Sequence, residues 1–176
     1  MEPGNSKLVE LKRATVARLQ AINVSSYRLG LTDERLNSYV CACIDNPDKH
    51  NLYELLAISR FFHFLDKYNF RTPEVKKYIV FYENLKFSGT KGKTKYKLTP
   101  VQVFQFANIL GFYHSGTNRR VIRDVLLFVP RKFSKTTSVA SLAIYDLLFG
   151  DANAQAYARS SSSVRSRFTQ SARFTV

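Results

Sequence analysis

The stretch from Arg123 to Gly150, RDVLLFVPRKFSKTTSVASLAIYDLLFG, decides how the rest of the chain is read. Val125 through Val129 is a continuous apolar run rich in β-branched and aromatic residues, the composition of a strand covered on both faces of a parallel sheet. Pro130 ends it. From Thr136 onward Val139, Leu142, Ala143, Tyr145, Leu147 and Leu148 recur at helical spacing, and Gly150 stands where a helix stop belongs. The pattern predicts a buried strand, a basic turn from Pro130 through Arg131, Lys132, Phe133, Ser134 and Lys135 to Thr136, and then an amphipathic helix.

A strand feeding a turn that ends in Lys-Thr at a helix start is the context of a phosphate-binding loop of pattern G-x-x-x-x-G-K-[ST]. Both glycine positions are replaced here, by Val129 and Ser134. The physics of the turn still suits an anion. Amides at the helix start and the positive end of its dipole face the bend, Lys135 can reach the β- and γ-phosphates, and Thr136 can offer a hydroxyl to Mg²⁺. Side chains at the two glycine positions make close backbone approach harder.

The wider wording, VPRKFSKTTSVASLAIYDLLFGDANAQAY, resembles the Walker A region of the large terminase subunit of tailed bacteriophages, where a Pro-Arg-Lys-x-Gly-Lys-[Ser/Thr] loop is used. Upstream, Leu98-Thr99-Pro100-Val101-Gln102 looks like the Leu-x-Pro-Trp-Gln start of the segment that precedes the loop in that family. The likeness runs from Lys97 to Tyr157. It departs at Ser134, where the family has Gly, and at Val101, where it has Trp. The resemblance implies an α/β fold: an N-terminal helical region, then the opening of a P-loop ATPase (RecA-like) parallel sheet. It implies ATP and Mg²⁺ as cofactors, with Gln102 at the adenine, Pro130, Arg131, Lys132, Phe133, Ser134, Lys135, Thr136 and Thr137 around the phosphates, and Thr136 on Mg²⁺. Arg131 or Lys132 would sense the bound nucleotide. It also implies a DNA-packaging motor in the host cytoplasm, with double-stranded viral DNA, the portal and the small terminase subunit as partners.

At 176 residues the chain is about one domain, and 45% hydrophobic with 14% aromatic content argues against general disorder. Lys and Arg number 27 against 13 Asp and Glu, a net charge of +14 that favours a polyanionic partner. The alternative function is therefore a basic helical nucleic-acid-binding protein without nucleotide chemistry. Cys41 and Cys43 lie in an apolar helix with no second pair to complete a metal site, and are expected to pack as reduced small hydrophobes. No apolar run approaches the length of a membrane span.

Taken in order, residues 1–86 read as a helical region. Met1 to Ser6 is a loose tail. Lys7 to Asn23 is a basic amphipathic helix with Leu8, Leu11, Val16, Leu19 and Ile22 on its apolar face. Thr32 is the expected cap of a helix through about Ile44, and Asn51 begins another with the stripe Leu52, Leu55, Leu56, Ile58, Phe61, Phe62 and Leu65. His63 within that stretch reads as a packed or edge residue. Thr72-Pro73-Glu74, a capping threonine with proline in the first turn, opens a further helix whose face, Val75, Tyr78, Ile79, Tyr82 and Leu85, should dock on the preceding one. Aromatic residues at this spacing are core rather than base-stacking platforms.

Residues 87–97, FSGTKGKTKYK, form a basic linker ahead of a partial ATPase domain at 98–158. In that domain Thr99-Pro100 caps a helix ending near Gly111, and Ala154 to Ala158 reads as the next parallel strand. Residues 159–176 hold four arginines, six serines and no acid, an irregular basic tail in which the family wording is lost. The expectation is an amino-terminal portion of a terminase with a frame change between Ala158 and Val176. Its sheet, with an uncovered edge, is expected to self-associate. Hydrolysis needs carboxylates for Mg²⁺ and for the attacking water. Beyond Asp124 only Asp146 and Asp151 are acidic, so the segment is expected to bind ATP without hydrolysing it alone.

Overall fold

The computed structural model describes residues 3–89, 92–127, 129, 133–150 and 172–175. It divides into two compact units, Met1–Val121 and Ile122–Val176. The first contains helices α1 (Pro3–Gln20), α2 (Glu34–Asp45), α3 (Leu52–Lys67), α4 (Thr72–Asn84) and α5 (Pro100–Gly111). Two small antiparallel ribbons accompany them: β1 (Asn69–Phe70) with β4 (Phe112–Tyr113), and β2 (Phe87–Gly89) with β3 (Gly92–Thr94). The second contains strand β5 (Asp124–Leu127), helix α6 (Lys135–Phe149) and strand β6 (Ala172–Thr175). The division thus falls after Val121, and α5, expected to open the ATPase part, belongs to the helical unit.

The expected helices form, with local corrections that have clear causes. The α2 cap is Asp33, not Thr32: its carboxylate accepts from the Arg35 amide at 2.9 Å. Thr32 and Thr72, both expected as caps, instead share a hydrogen bond at 2.8 Å. Asn51 caps α3 by accepting from the Glu54 amide, and Thr99 and Gln102 form a reciprocal capping box on α5. Among the described side chains of α1 Thr15 and Leu19 are the buried ones, while Leu8 and Leu11 are exposed. Its first turns carry no buried residue on the expected apolar stripe.

The core of the first unit is aromatic. Buried Phe61 meets the rings of Phe62, Phe70, Phe104 and Phe112 at centroid distances of 5.3–6.1 Å. Helix α4 docks on α5 through Tyr78, whose ring lies 4.6 Å from that of Phe106, and not chiefly on α3 as its position in the chain suggested. These rings are buried, Phe70 alone among them half-buried, and serve the core, as their spacing implied. His63 is exposed at the edge of the cluster, 6.3 Å from the Phe64 ring. At Gly111 a Cβ would meet the Phe70 ring at 2.3 Å, so only glycine lets β1 lie against the end of α5. Arg71 then fixes the following loop by donating to the Asn118 side chain and the Thr117 carbonyl.

The second unit departs from expectation. Among the described residues there is no parallel sheet: β5 pairs antiparallel with β6, in register Asp124 with Thr175 through Leu127 with Ala172. Nor is β5 covered on both faces, since its residues alternate between exposed and half-buried, with Leu126 68% exposed. The reason is elementary. Strand amides and carbonyls must be paired, an antiparallel neighbour pairs them without a crossover helix, and a ribbon of this kind leaves one face wet. The tail read as irregular supplies that neighbour at 172–175. The strand expected at Ala154 to Ala158 lies outside the described residues.

Candidate functional site

Helix α6 begins at Lys135, directly after the bend. Ser134 occupies its cap position with φ 55° and ψ 25°, in the left-handed region, and its carbonyl accepts from the Ser138 amide at 2.8 Å to close the first turn. Ser134 makes no side-chain cap bond. The amides of Lys135, Thr136 and Thr137 therefore head a helix whose dipole is positive at that end and which its own cap side chain does not serve. Phe133, Ser134 and Thr136 are exposed, and Lys135 and Thr137 half-buried. Five of the expected phosphate-binding residues are thus contiguous at an accessible helix start. Pro130, Arg131 and Lys132 lie outside the described residues.

The left-handed conformation at Ser134 has chemical meaning. A Cβ in this region costs roughly 1–2 kcal/mol, a cost glycine escapes. Ser134 stands at the second glycine of the phosphate-loop pattern, and it holds the backbone conformation for which glycine is suited. Ser134→Gly is accordingly expected to stabilise the second unit by about 0.5–1 kcal/mol, the strain relief being partly offset by the greater freedom of the unfolded chain. Ser134→Ala, which keeps the Cβ, is expected to bring no such gain. Thermal melting of the two variants checks this.

Gln102 belongs to the first unit and is already engaged. Its side-chain oxygen accepts from the Thr99 amide at 2.9 Å and from the Thr99 hydroxyl at 3.1 Å. Capping α5 is thus a role the motif Thr-Pro-x-Gln has without any ligand. The side-chain nitrogen is not used by the cap.

For a triphosphate with Mg²⁺ the donor set at α6 is partial but chemically consistent: backbone amides and Lys135 for the phosphates and the Thr136 hydroxyl for the ion. Asp124 and Asp146 are the acids of the described second unit, at the start of β5 and near the end of α6. The first unit holds a different donor group that composition did not reveal, Cys43 with His50 and Glu54. Its signal, Cys-x₆-His-x₃-Glu, spans the end of one helix, a turn and the start of the next, so no single periodic element carries it.

No protein-family model, curated protein or solved structure matches this chain. Among the described residues no helix is long and apolar enough to cross a membrane.

Proposed function

We propose that the chain is the ATP-binding, amino-terminal portion of a phage large terminase subunit, the motor that drives double-stranded viral DNA into a capsid in the host cytoplasm. The observation that supports this best is the left-handed Ser134 immediately before Lys135 and Thr136 at a helix start, a glycine-like backbone at the glycine position of the pattern. In this reading Lys135 clamps the γ-phosphate, Thr136 ligates Mg²⁺, and the amides of α6 cradle the phosphates. Strand β5 is the strand that enters the loop, and its parallel neighbours, as in the family, belong to the same proposal, as do the portal, the small subunit and further copies of the chain as partners. Bound Mg-ATP supplies the phosphoryl group for transfer. This chain's own residues bind and orient it.

Titration with Mg-ATP tests the proposal. Lys135→Ala is expected to weaken binding by about 100-fold, the loss of one charge-assisted contact of roughly 3 kcal/mol, with an unchanged circular dichroism spectrum. Equal affinity in the variant, or no binding by the parent chain, would defeat it.

A second reading has its own observation. Lys7, Arg13 and Arg18 are exposed along α1, and with a net charge of +14 they suit a phosphate backbone. Salt-dependent DNA binding that ATP leaves unchanged, together with absence of ATP binding, would favour a nucleic-acid-binding protein without nucleotide chemistry.

A further inference from the structure

Helices α2 and α3 are joined by a short turn at Pro47–Lys49, and the junction gathers three side chains of different chemistry. The Cys43 sulfur, fully buried in the last turns of α2, lies 3.7 Å from His50 Nδ1. The same ring nitrogen lies 3.0 Å from Glu54 Oε2. All three atoms fall within 4.8 Å of one another. The convergence has a local cause. Asn51 caps α3 on the Glu54 amide at 2.9 Å, which sets Glu54 one turn beyond His50 and on the same side of the junction.

The hydrogen bonds of this trio compete at His50, while the Tyr39 hydroxyl lies beside both Cys43 and Glu54. One ring nitrogen can donate to the carboxylate or accept from the thiol, and cannot do both. A single cation at their centre would take a lone pair from each.

We propose that Cys43, His50 and Glu54 form a Zn²⁺ site. Tetrahedral zinc, with bonds of about 2.3 Å to sulfur and about 2.0–2.2 Å to nitrogen and oxygen, holds its ligand atoms roughly 3.3–3.6 Å apart. Two of the three separations already lie within a few tenths of an ångström of that range, and the third, no more than 4.8 Å, needs to close by about 1.2 Å at most. Thiolate, carboxylate and neutral imidazole balance the charge of the ion, so the half-buried junction carries no net charge when it is filled. Sulfur with imidazole selects zinc over the hard cations Ca²⁺ and Mg²⁺.

Outer contacts are in place as well. The Tyr39 hydroxyl donates to Glu54 Oε1 at 2.6 Å, which leaves Oε2 for the ion. Lys12 donates to the His50 carbonyl at 3.0 Å and steadies the turn. Three protein ligands leave the fourth position to water, and the ion ties the end of α2 to the start of α3.

The full chain, stripped of metal, is titrated with Co²⁺ as a coloured substitute and then with Zn²⁺. One Co²⁺ per chain with tetrahedral absorption and a thiolate charge-transfer band, displaced by Zn²⁺, is the expected result. Cys43→Ala and His50→Gln each weaken binding by more than the roughly 100-fold that loss of an outer partner costs, Tyr39→Phe weakens it by about 10- to 100-fold, and Cys41→Ser leaves it unchanged. Absence of the thiolate band in the parent chain at stoichiometric Co²⁺ would overturn the site, as would its persistence in Cys43→Ala. Should Cys43→Ala fail to fold, parent-like affinity in His50→Gln, altered at the accessible edge, overturns it equally.

Discussion

Phe61→Ala is expected to cost the first unit about 3–5 kcal/mol, measured as the shift in a urea unfolding midpoint at constant slope. Phe61 is wholly buried in α3 and touches rings from four places: Phe62 on its own helix, Phe70 on β1, Phe104 on α5 and Phe112 on β4. Its removal leaves a hole that no single neighbour can fill, because those rings are held by different elements. A small domain has about 5–15 kcal/mol in all, so the variant should lose a large share of its stability. Phe61→Leu keeps most of the volume and should cost less than about 1.5 kcal/mol. Tyr53→Ala, at a position 76% exposed, should stay within about 0.5 kcal/mol of the parent. A loss below about 1 kcal/mol for Phe61→Ala would mean that the ring cluster does not hold these elements together.

The helical unit was legible because its elements carry local signals. In the stripe that Asn51 opens, Leu55, Ile58, Phe61 and Phe62 are buried and Leu52, Leu56 and Leu65 half-buried, and Asn51 and Thr99 cap the helices they precede. The threonines at 32 and 72 misled because a hydroxyl at a helix start has two uses, and tertiary contact chose the other one. Strand partners were least legible. Val125 to Leu127 announces a strand, but a run of apolar residues does not say whether its neighbour is parallel or antiparallel, and the partner at Ala172–Thr175 is too short to show a period.

At the candidate site, the helix start at Lys135 could be read from Lys-Thr after a basic turn. The left-handed Ser134 could be read only as a glycine position that lacks its glycine. The Cys43 group was invisible for another reason. A search for paired cysteines passes over a ligand set that mixes sulfur, imidazole and carboxylate. Burial and the charge of Glu54 push the Cys43 thiol up to about 11, against a hydrogen-bonding contact with Tyr39, which fits a packed thiol. Burial acts to raise Glu54 as well, yet hydrogen bonds from Tyr39 and His50 outweigh it and hold that carboxyl below its usual range.

Arg35→Met is expected to lower stability by about 2–3 kcal/mol at neutral pH, and by much less in acid. The guanidinium donates to both Asp33 oxygens, at 2.9 and 2.8 Å, to Glu83 at 2.6 Å and to the Leu98 carbonyl at 2.9 Å. Glu83 in turn accepts from the Leu98 amide at 3.1 Å. One side chain thereby joins the start of α2, the end of α4 and the approach to α5. Charge-assisted bonds of this kind are worth about 1.5–3 kcal/mol each, and methionine would leave two partly buried carboxylates without their cation. The hydrogen bonds from Arg35 outweigh burial and hold Asp33 below the ordinary carboxyl range. Since the folded value lies below the unfolded value of about 3.9, this contribution is complete above about pH 5 and is lost as pH falls through the folded pKa. Unfolding free energies of the parent chain and the variant should therefore converge below about pH 4. Arg35→Lys, which keeps the charge but not the fork, should fall between them. A difference that stays constant from neutral pH down to pH 2 would show that Arg35 acts through its hydrocarbon stem and not through Asp33.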